Sequence, residues 1–215
     1  MHLFENKLEA LKNSIALGLP GEDAHSVFSP PGRIGYTEAL LLEDKPKKAA
    51  VLIPLFINNL GEPAILLTLR KTYAGVHSGQ ISFPGGKFEQ HEFSSINVAL
   101  REAEEEVGIN PNNVSIIGEL SPLYIPPSNI VVFPVLGFLR KIEHWNIQER
   151  EVEKILEFSL SEFIDPSNRR IVEINIGNQK RNAPSYNING TIVWGATAMI
   201  ISEFIYLWNR KSFND

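Results

Sequence analysis

A chain of 215 residues can form one fair-sized domain with a real core or two small ones, and shares of 43% apolar and 21% charged residues are ordinary for a soluble globular protein. The absence of cysteine excludes disulfides and a thiolate metal site, and agrees with a reducing cytoplasm. The formal charge of −5 carries no run of lysine or arginine, so nothing supports nucleic-acid binding, and an anionic substrate must find positive charge locally, in a few basic side chains or in metal ions.

The N-terminal stretch holds Glu5 and Glu9 and no long apolar run, which does not read as a signal peptide. Phe4, Leu8, Leu11 and Ile15 follow helical spacing, and the helix ends at GLPG. After the stiff loop SPPGR come the β-rich runs AAVLIPLFI and AILLTLR, joined by NNLGEP as a hairpin. KTYAGVHSGQ is a loop with two glycines, and ISF is a short strand ending at Pro84-Gly85-Gly86. SIIGELSPLYI and IVVFPVLGFLR read as strands separated by PPSN, and EVEKILEFSLSEFI as a strand running into a short helix. RRIVEINI and TIVW read as strands around a polar, Asn-rich connection, and Gly195 to about Arg210 as a closing helix, with Trp194, Thr197, Ala198, Ile201, Ile205 and Trp208 on one side.

Thr191 to Trp208 is about as long as a marginal membrane span, but Glu203, Ser202, Thr197 and Gly195 dilute it, and a buried strand plus helix is the expectation. No repeat or linker divides the chain. Residues 1–215 are expected to form one α/β domain with a mixed sheet and helices on both faces, residues 1–30 being an N-terminal helix and loop and 195–210 the closing helix.

The densest charge lies in FPGGKFEQHEFSSINVALREAEEEVGI, Phe83 to Ile109. Ser94 or Ser95 can start a helix there, and Gly108 with Pro111 can stop it. Ile96, Ala99, Leu100, Ala103 and Val107 form an apolar stripe, and Glu102, Glu105 and Glu106 are expected on the opposite side, with Arg101 one turn before Glu105. Carboxylates so placed repel each other and oppose the helix dipole; divalent cations among them would remove both costs. Hard oxygen ligands suit magnesium or manganese, which also bind phosphate oxygens. Gly85 and Gly86 would let the backbone approach a metal or phosphate closely. A solvated acidic face is the competing reading of the glutamates alone, and PGGK is not a P-loop, because Phe88 follows Lys87 and the glycine spacing is wrong.

These residues resemble the box of the Nudix hydrolases, G-x5-E-x7-R-E-U-x-E-E-x-G-U with U aliphatic or small. Gly86, Glu92, Arg101, Glu102, Ala103, Glu105, Glu106, Gly108 and Ile109 match, with eight residues rather than seven between Glu92 and Arg101. LLTLRKTYAGVHSGQISFPGG is similar to the upstream signature of the coenzyme A pyrophosphatase branch, L-L-T-x-R-(S/A)-x3-R-x3-G-x3-F-P-G-G. Leu66, Leu67, Thr68, Arg70, Gly79, Phe83, Pro84, Gly85 and Gly86 match, while Lys71 replaces the small residue and Gly75 the second arginine. VWGATAMII resembles the same branch.

The resemblance implies a Nudix-type α/β/α sandwich with a mixed sheet and the strand–loop–helix of the box. It implies hydrolysis of a pyrophosphate in a nucleotide derivative with Mg2+ or Mn2+ and water; for coenzyme A the products would be 3′,5′-ADP and 4′-phosphopantetheine. Glu102, Glu105, Glu106 and the Gly85 carbonyl are the implied metal ligands, Glu105 or Glu106 also handles the proton, and Arg101 orients the glutamates. Among Glu149, Glu151 and Glu153, Glu151 is the favoured carboxylate from outside the box. Arg70, Lys71, His77 and Gly86 are the candidates on the substrate side. His2, His25, His91 and His144 lack metal spacing and read as structural or solvent-facing. The partner is a small nucleotide pyrophosphate, with neither nucleic acid nor membrane; a homodimer stays open. ADP-ribose or a dinucleotide is the alternative substrate class, and a non-catalytic nucleotide sensor the third reading, against which the intact REAEEE speaks.

Overall fold

The computed structural model describes residues 2–30, 32–71, 79–141, 144–176 and 179–210. In chain order the elements are α1 (His2–Ala16), α2 (Glu22–His25), α3 (Tyr36–Ala39), β1 (Lys47–Ile57), β2 (Pro63–Arg70), β3 (Ile81–Ser82), β4 (Gly85–Lys87) and α4 (Ser95–Val107). There follow β5 (Val114–Glu119), β6 (Leu123–Ile125), β7 (Ile130–Leu139), β8 (Val152–Ser159), α5 (Leu160–Ile164), β9 (Arg169–Ile176), β10 (Gln179–Ile188), β11 (Thr191–Trp194) and α6 (Gly195–Asn209).

The main sheet is mixed. β1 runs parallel to β7, and every other pairing is antiparallel. β1 and β2 pair only beside their turn, at Leu55↔Ile65, Phe56↔Ala64 and Ile57↔Pro63. Beyond that the two strands fork. β4 pairs β1 at residues 49–51, β3 pairs β2 at Thr68 and Leu69, and the Phe83-Pro84 corner lies between them. The hydroxyl of buried Thr68 donates to the Ser82 carbonyl at 3.2 Å and ties the wedge to β2.

Both faces of the central strands are covered, which is why β1 and β2 read as nearly continuous apolar runs. Ala50, Leu52, Phe56, Ala64 and Leu66 point to α4 and pack on Val98, Ala99, Ala103 and Val107. Ile53, Leu55, Ile65 and Leu67 point the other way, into the larger core with α6, α5 and Leu11 of α1. The layers are helix, sheet, helix, as expected.

Three local expectations change. SIIGELSPLYI is two strands, because Pro122 lacks the N–H a continuing ladder needs and the Ser121 N–H turns instead to Glu203. The Asn-rich connection is itself a strand, β10, paired with β9 on one side and β11 on the other in a second, three-stranded sheet. Its Pro184 lies just before β11 pairing begins at Ser185, so the missing N–H costs no ladder bond on that edge. Asn189 (φ 51°) and Gly190 (φ 84°) make the two-residue turn to β11, the Asn-Gly hairpin signal that the polar composition obscured. Finally, α6 is buried on nearly all sides: Met199, Ile200, Phe204 and Leu207 are covered along with the expected stripe.

Glu203 of α6 is fully buried, yet its carboxylate is met on every side. It bonds His25 Nε2 at 2.9 Å and accepts from the Ser121 hydroxyl at 2.6 Å, the Ser121 N–H at 3.2 Å and the Gly21 N–H at 3.3 Å. The membrane reading therefore fails on this residue. Among the described residues no helix is long and apolar enough to cross a membrane. Glu203→Ala should cost about 3 kcal/mol, because it strands several buried donors at once. Urea denaturation with an unchanged slope checks this; a loss under about 0.5 kcal/mol would show that water replaces the carboxylate freely.

Candidate active site

α4 is locally well specified. The Ser94 hydroxyl caps its start, accepting from the Asn97 N–H at 3.3 Å. Gly108 ends it at φ 74°, where its N–H reaches the Glu104 carbonyl and the Ile109 N–H reaches that of Ala103. The following chain returns across this end: the Asn146 N–H donates to the Val107 carbonyl at 3.1 Å and the Gln148 N–H to that of Glu106 at 2.9 Å. The Lys71 N–H, at the end of β2, donates to the Glu151 carbonyl at 2.9 Å. The fork, the helix end and the entry to β8 thus meet in one place.

The three glutamates do not share one face. Glu106 lies three residues after Ala103 and seven after Ala99, on the sheet side, with its side chain 3% exposed. Glu105 is turned outward at 59%, and Glu102 lies between them. Ile96 and Leu100 are only partly buried, and Val98 takes their place in the covered stripe.

Two arginines divide the carboxylates. Arg101 holds Glu92 in a two-pronged contact, Nε to Oε1 at 2.8 Å and Nη2 to Oε2 at 2.9 Å. Its Nη1 reaches Glu102 at 2.8 Å and Glu105 at 3.3 Å, and its Nη2 also reaches the Lys87 carbonyl at 3.3 Å. Sequence reading assigned no task to Glu92; its geometry is that of an anchor for Arg101, legible only as a box position. Arg70 holds Glu106, Nη1 to Oε1 at 3.2 Å, and lies 3.9 Å from Glu151. The Gly85 N–H donates to the other Glu106 oxygen at 3.2 Å.

Burial pushes the Glu106 carboxyl up to about 7, against Arg70 and the Gly85 N–H; the nearby Glu102 and Glu151 charges add to the rise. Burial also raises Glu102, opposed by Arg101. The Arg101 contact lowers Glu92, and Glu92 in turn raises Arg101.

Of the candidates from sequence, Arg70, Gly85, Gly86, Arg101, Glu102, Glu105, Glu106 and Glu151 come together here. Lys71 is exposed at the edge of the group, and His77 and Gly75 lie outside the described residues. Glu149 and Glu153 are exposed, while His25 is the buried partner of Glu203. Arg33 stays apart from this group: it donates to the Tyr124 carbonyl and lies 3.4 Å from Met199 Sδ.

Among the described residues no three carboxylate or imidazole groups are gathered as one cation cage. The carboxylates are directed at arginines instead. The donor set still suits a hard divalent cation: each Glu106 oxygen accepts one hydrogen bond, and a carboxylate oxygen has a second lone pair.

The glycine pair has a packing reason the sequence did not show. A Cβ on Gly85 would run into the Ala50 carbonyl and lie 2.6 Å from Val51 Cα, both backbone of β1. The three atoms nearest to a Cβ on Gly86 all belong to the Glu102 carboxyl, the end of a flexible side chain. Gly85→Ala should therefore lose about 1–3 kcal/mol by overpacking and Gly86→Ala clearly less. Chemical denaturation of both decides it; equal losses would refute the distinction.

Comparison with known proteins agrees with this arrangement. A family model described as the NUDIX domain matches residues 46–173. An uncharacterized Nudix hydrolase NudL of Photorhabdus laumondii is 35% identical over 162 residues, covering 75% of this chain and 85% of that protein. The chloroplastic Nudix hydrolase 22 of Arabidopsis thaliana is 34% identical over 175 residues, 78% of this chain, but the match spans only 58% of that protein's length. The crystal structure of a MutT protein from Methanosarcina mazei Go1 shares the fold, with a TM-score of 0.51 at 18% identity over 79% of this chain and 99% of that one. Since the family model takes in more than half of the residues and the box it expects is folded around Arg101, the chain belongs to the Nudix family.

Proposed function

We propose that this protein hydrolyses the pyrophosphate bond of a nucleotide derivative, with coenzyme A or its derivatives as the substrate class. The observation that carries the reading is the Arg101 cluster: one guanidinium joins Glu92, Glu102 and Glu105 beside the Gly85-Gly86 strand, with Glu106 buried next to it. The LLTLR stretch of β2 supports the coenzyme A class, since it ends at Arg70 inside the same group.

Glu102, Glu105, Glu106 and the Gly85 carbonyl would hold Mg2+ or Mn2+. Bound there, a divalent cation supplies charge neutralisation for the pyrophosphate and a lowered pKa for water. The chain's own residues do the rest. Arg101 keeps Glu102 and Glu105 in fixed directions, which preserves their geometry as the substrate arrives. Glu106 presents a carboxylate fixed at both oxygens. Water attacks one phosphorus, the bridging P–O bond breaks, and the second phosphate leaves with the bridging oxygen. Of the two box glutamates expected to handle the proton, Glu106 is held at both oxygens, so Glu105 takes the proton of the water, with Glu151 as its alternative; both are more than half exposed and can return it to solvent. On the substrate side stand Lys71, Arg70 and Gly86, at the end of β2 and in β4.

Glu106→Gln should cut turnover by about 100-fold or more while the fold melts normally, and a chelator should abolish activity. The assay is a panel of pyrophosphate compounds with magnesium, products identified by mass. Parent-like turnover by the variant, or activity surviving in chelator, would overturn the reading. Binding without any product would favour the nucleotide sensor, and products only from ADP-ribose or a dinucleotide would move the substrate class, the alternative that Gly75 keeps open.

Within the coenzyme A class, we assign the 3′-phosphate to Lys71, which is exposed just after Arg70. Lys71→Ala should then shift kcat/KM against coenzyme A, relative to dephospho-coenzyme A, by roughly 10- to 100-fold, as a charge-assisted contact of about 1.5–3 kcal/mol would give. Equal losses on both substrates would remove Lys71 from phosphate recognition.

A further inference from the structure

Arg70 was expected to touch substrate, yet its geometry is turned into the protein. Its side chain is 21% exposed, Nη1 lies 3.2 Å from the buried Glu106 carboxylate, and Nη2 lies 3.9 Å from Glu151. Glu106 lies on α4, Glu151 on the return before β8, and Arg70 at the end of β2. Glu106 has one oxygen on Arg70 and the other on the Gly85 N–H, so its carboxyl plane is fixed from two sides. Both donors are carried by the sheet, the amide by the backbone of β4 and the guanidinium by the last residue of β2.

We infer that Arg70 is a positioning residue, which holds the Glu106 carboxylate against the Gly85 amide and sets Glu151 beside it, and does not itself bind substrate phosphate. This rests on the reading of Glu106 as part of the hydrolytic machinery. A guanidinium with two carboxylate neighbours has its charge already compensated, and a phosphate would have to compete with both. The buried carboxylate in turn needs a cation of the protein close by when it is ionised. The two requirements are met by one contact. Arg70 therefore acts through Glu106, and its loss should be felt only where Glu106 carries a carboxylate.

The test is a double-mutant cycle on Arg70→Gln, Arg70→Lys, Glu106→Gln and the combined Arg70→Gln/Glu106→Gln protein. Thermal melting is followed in chelator, and kcat and KM are measured with magnesium on the best substrate of the panel. Arg70→Gln should lower the melting temperature and cut kcat about 10- to 100-fold while KM changes less than about 3-fold. Arg70→Lys, which keeps the charge without the fork, should recover part of both. In the Glu106→Gln background, Arg70→Gln should cost less than about 3-fold more in kcat and no further melting temperature. An Arg70→Gln protein that fails to fold alone but folds with Glu106→Gln supports the inference; one that fails in both backgrounds overturns it. A rise in KM with unchanged kcat, or losses that multiply across the cycle, would make Arg70 a substrate contact after all. The melting cycle needs no turnover, so a parent inactive on every compound would sink the proposed function while the cycle still decides the role of Arg70.

Discussion

A carboxylate placed on the sheet-facing side of a helix has to be met by fixed donors, because burying it unpaired costs several kcal/mol. Glu106 is that carboxylate. Its two donors come from distant parts of the chain, Arg70 at the end of β2 and the amide of Gly85 in β4. They can reach it together only because β1 and β2 stop pairing after three residue pairs and admit the segment 81–87 between them. The fork is held open on its far side as well, where the Thr197 hydroxyl at the start of α6 donates to the Ile81 carbonyl at 2.9 Å.

The distribution of charge follows from the same constraint. With Glu106 served by Arg70 on the inside, the outer carboxylates are left to Arg101, whose planar fork can satisfy Glu92 with two nitrogens and still offer hydrogens to Glu102 and Glu105. Four glutamates between 102 and 106 are then less of a burden to α4 than the sequence suggests. One is buried against a cation, two share a second cation, and Glu104 faces solvent. Most of the charge repulsion is answered within the protein, and what remains is a set of carboxylates that keep lone pairs close to the Gly85-Gly86 strand.

On the opposite face of the sheet a second buried carboxylate does different work. Glu203 gathers His25, Ser121 and Gly21 around α6, joining α2 and the break between β5 and β6 to the closing helix. It is far from the arginine clusters in sequence and is enclosed by the larger core, so its task is to fix α6, and through Thr197 the fork, without taking part in the site.

Local signals were enough for much of this. The hydrophobic runs located β1, β2 and β7, the serine and glycine stops bounded α4, and the spacing of Gly86, Glu92, Arg101, Glu102, Glu105 and Glu106 pointed to the family and to the site. Such features are legible because they depend on residues close in the chain: a period, a cap, a box. Which way each glutamate faces was not legible, since Glu102 and Glu106 are one turn apart and either could have been the inner one. Only the height of α4 over β1 and β4 put Glu106 inside and left Glu105 in solvent. The partners of the arginines were hidden for the same reason, because Arg70 and Glu106 are 36 residues apart and meet across the fork. The packing demand at Gly85 was likewise hidden, because it comes from β1, whose backbone leaves no room for a side chain there. Composition and spacing specified the chemical groups; the direction of each, and hence which carboxylate is held by which cation, was decided by packing between segments distant in sequence.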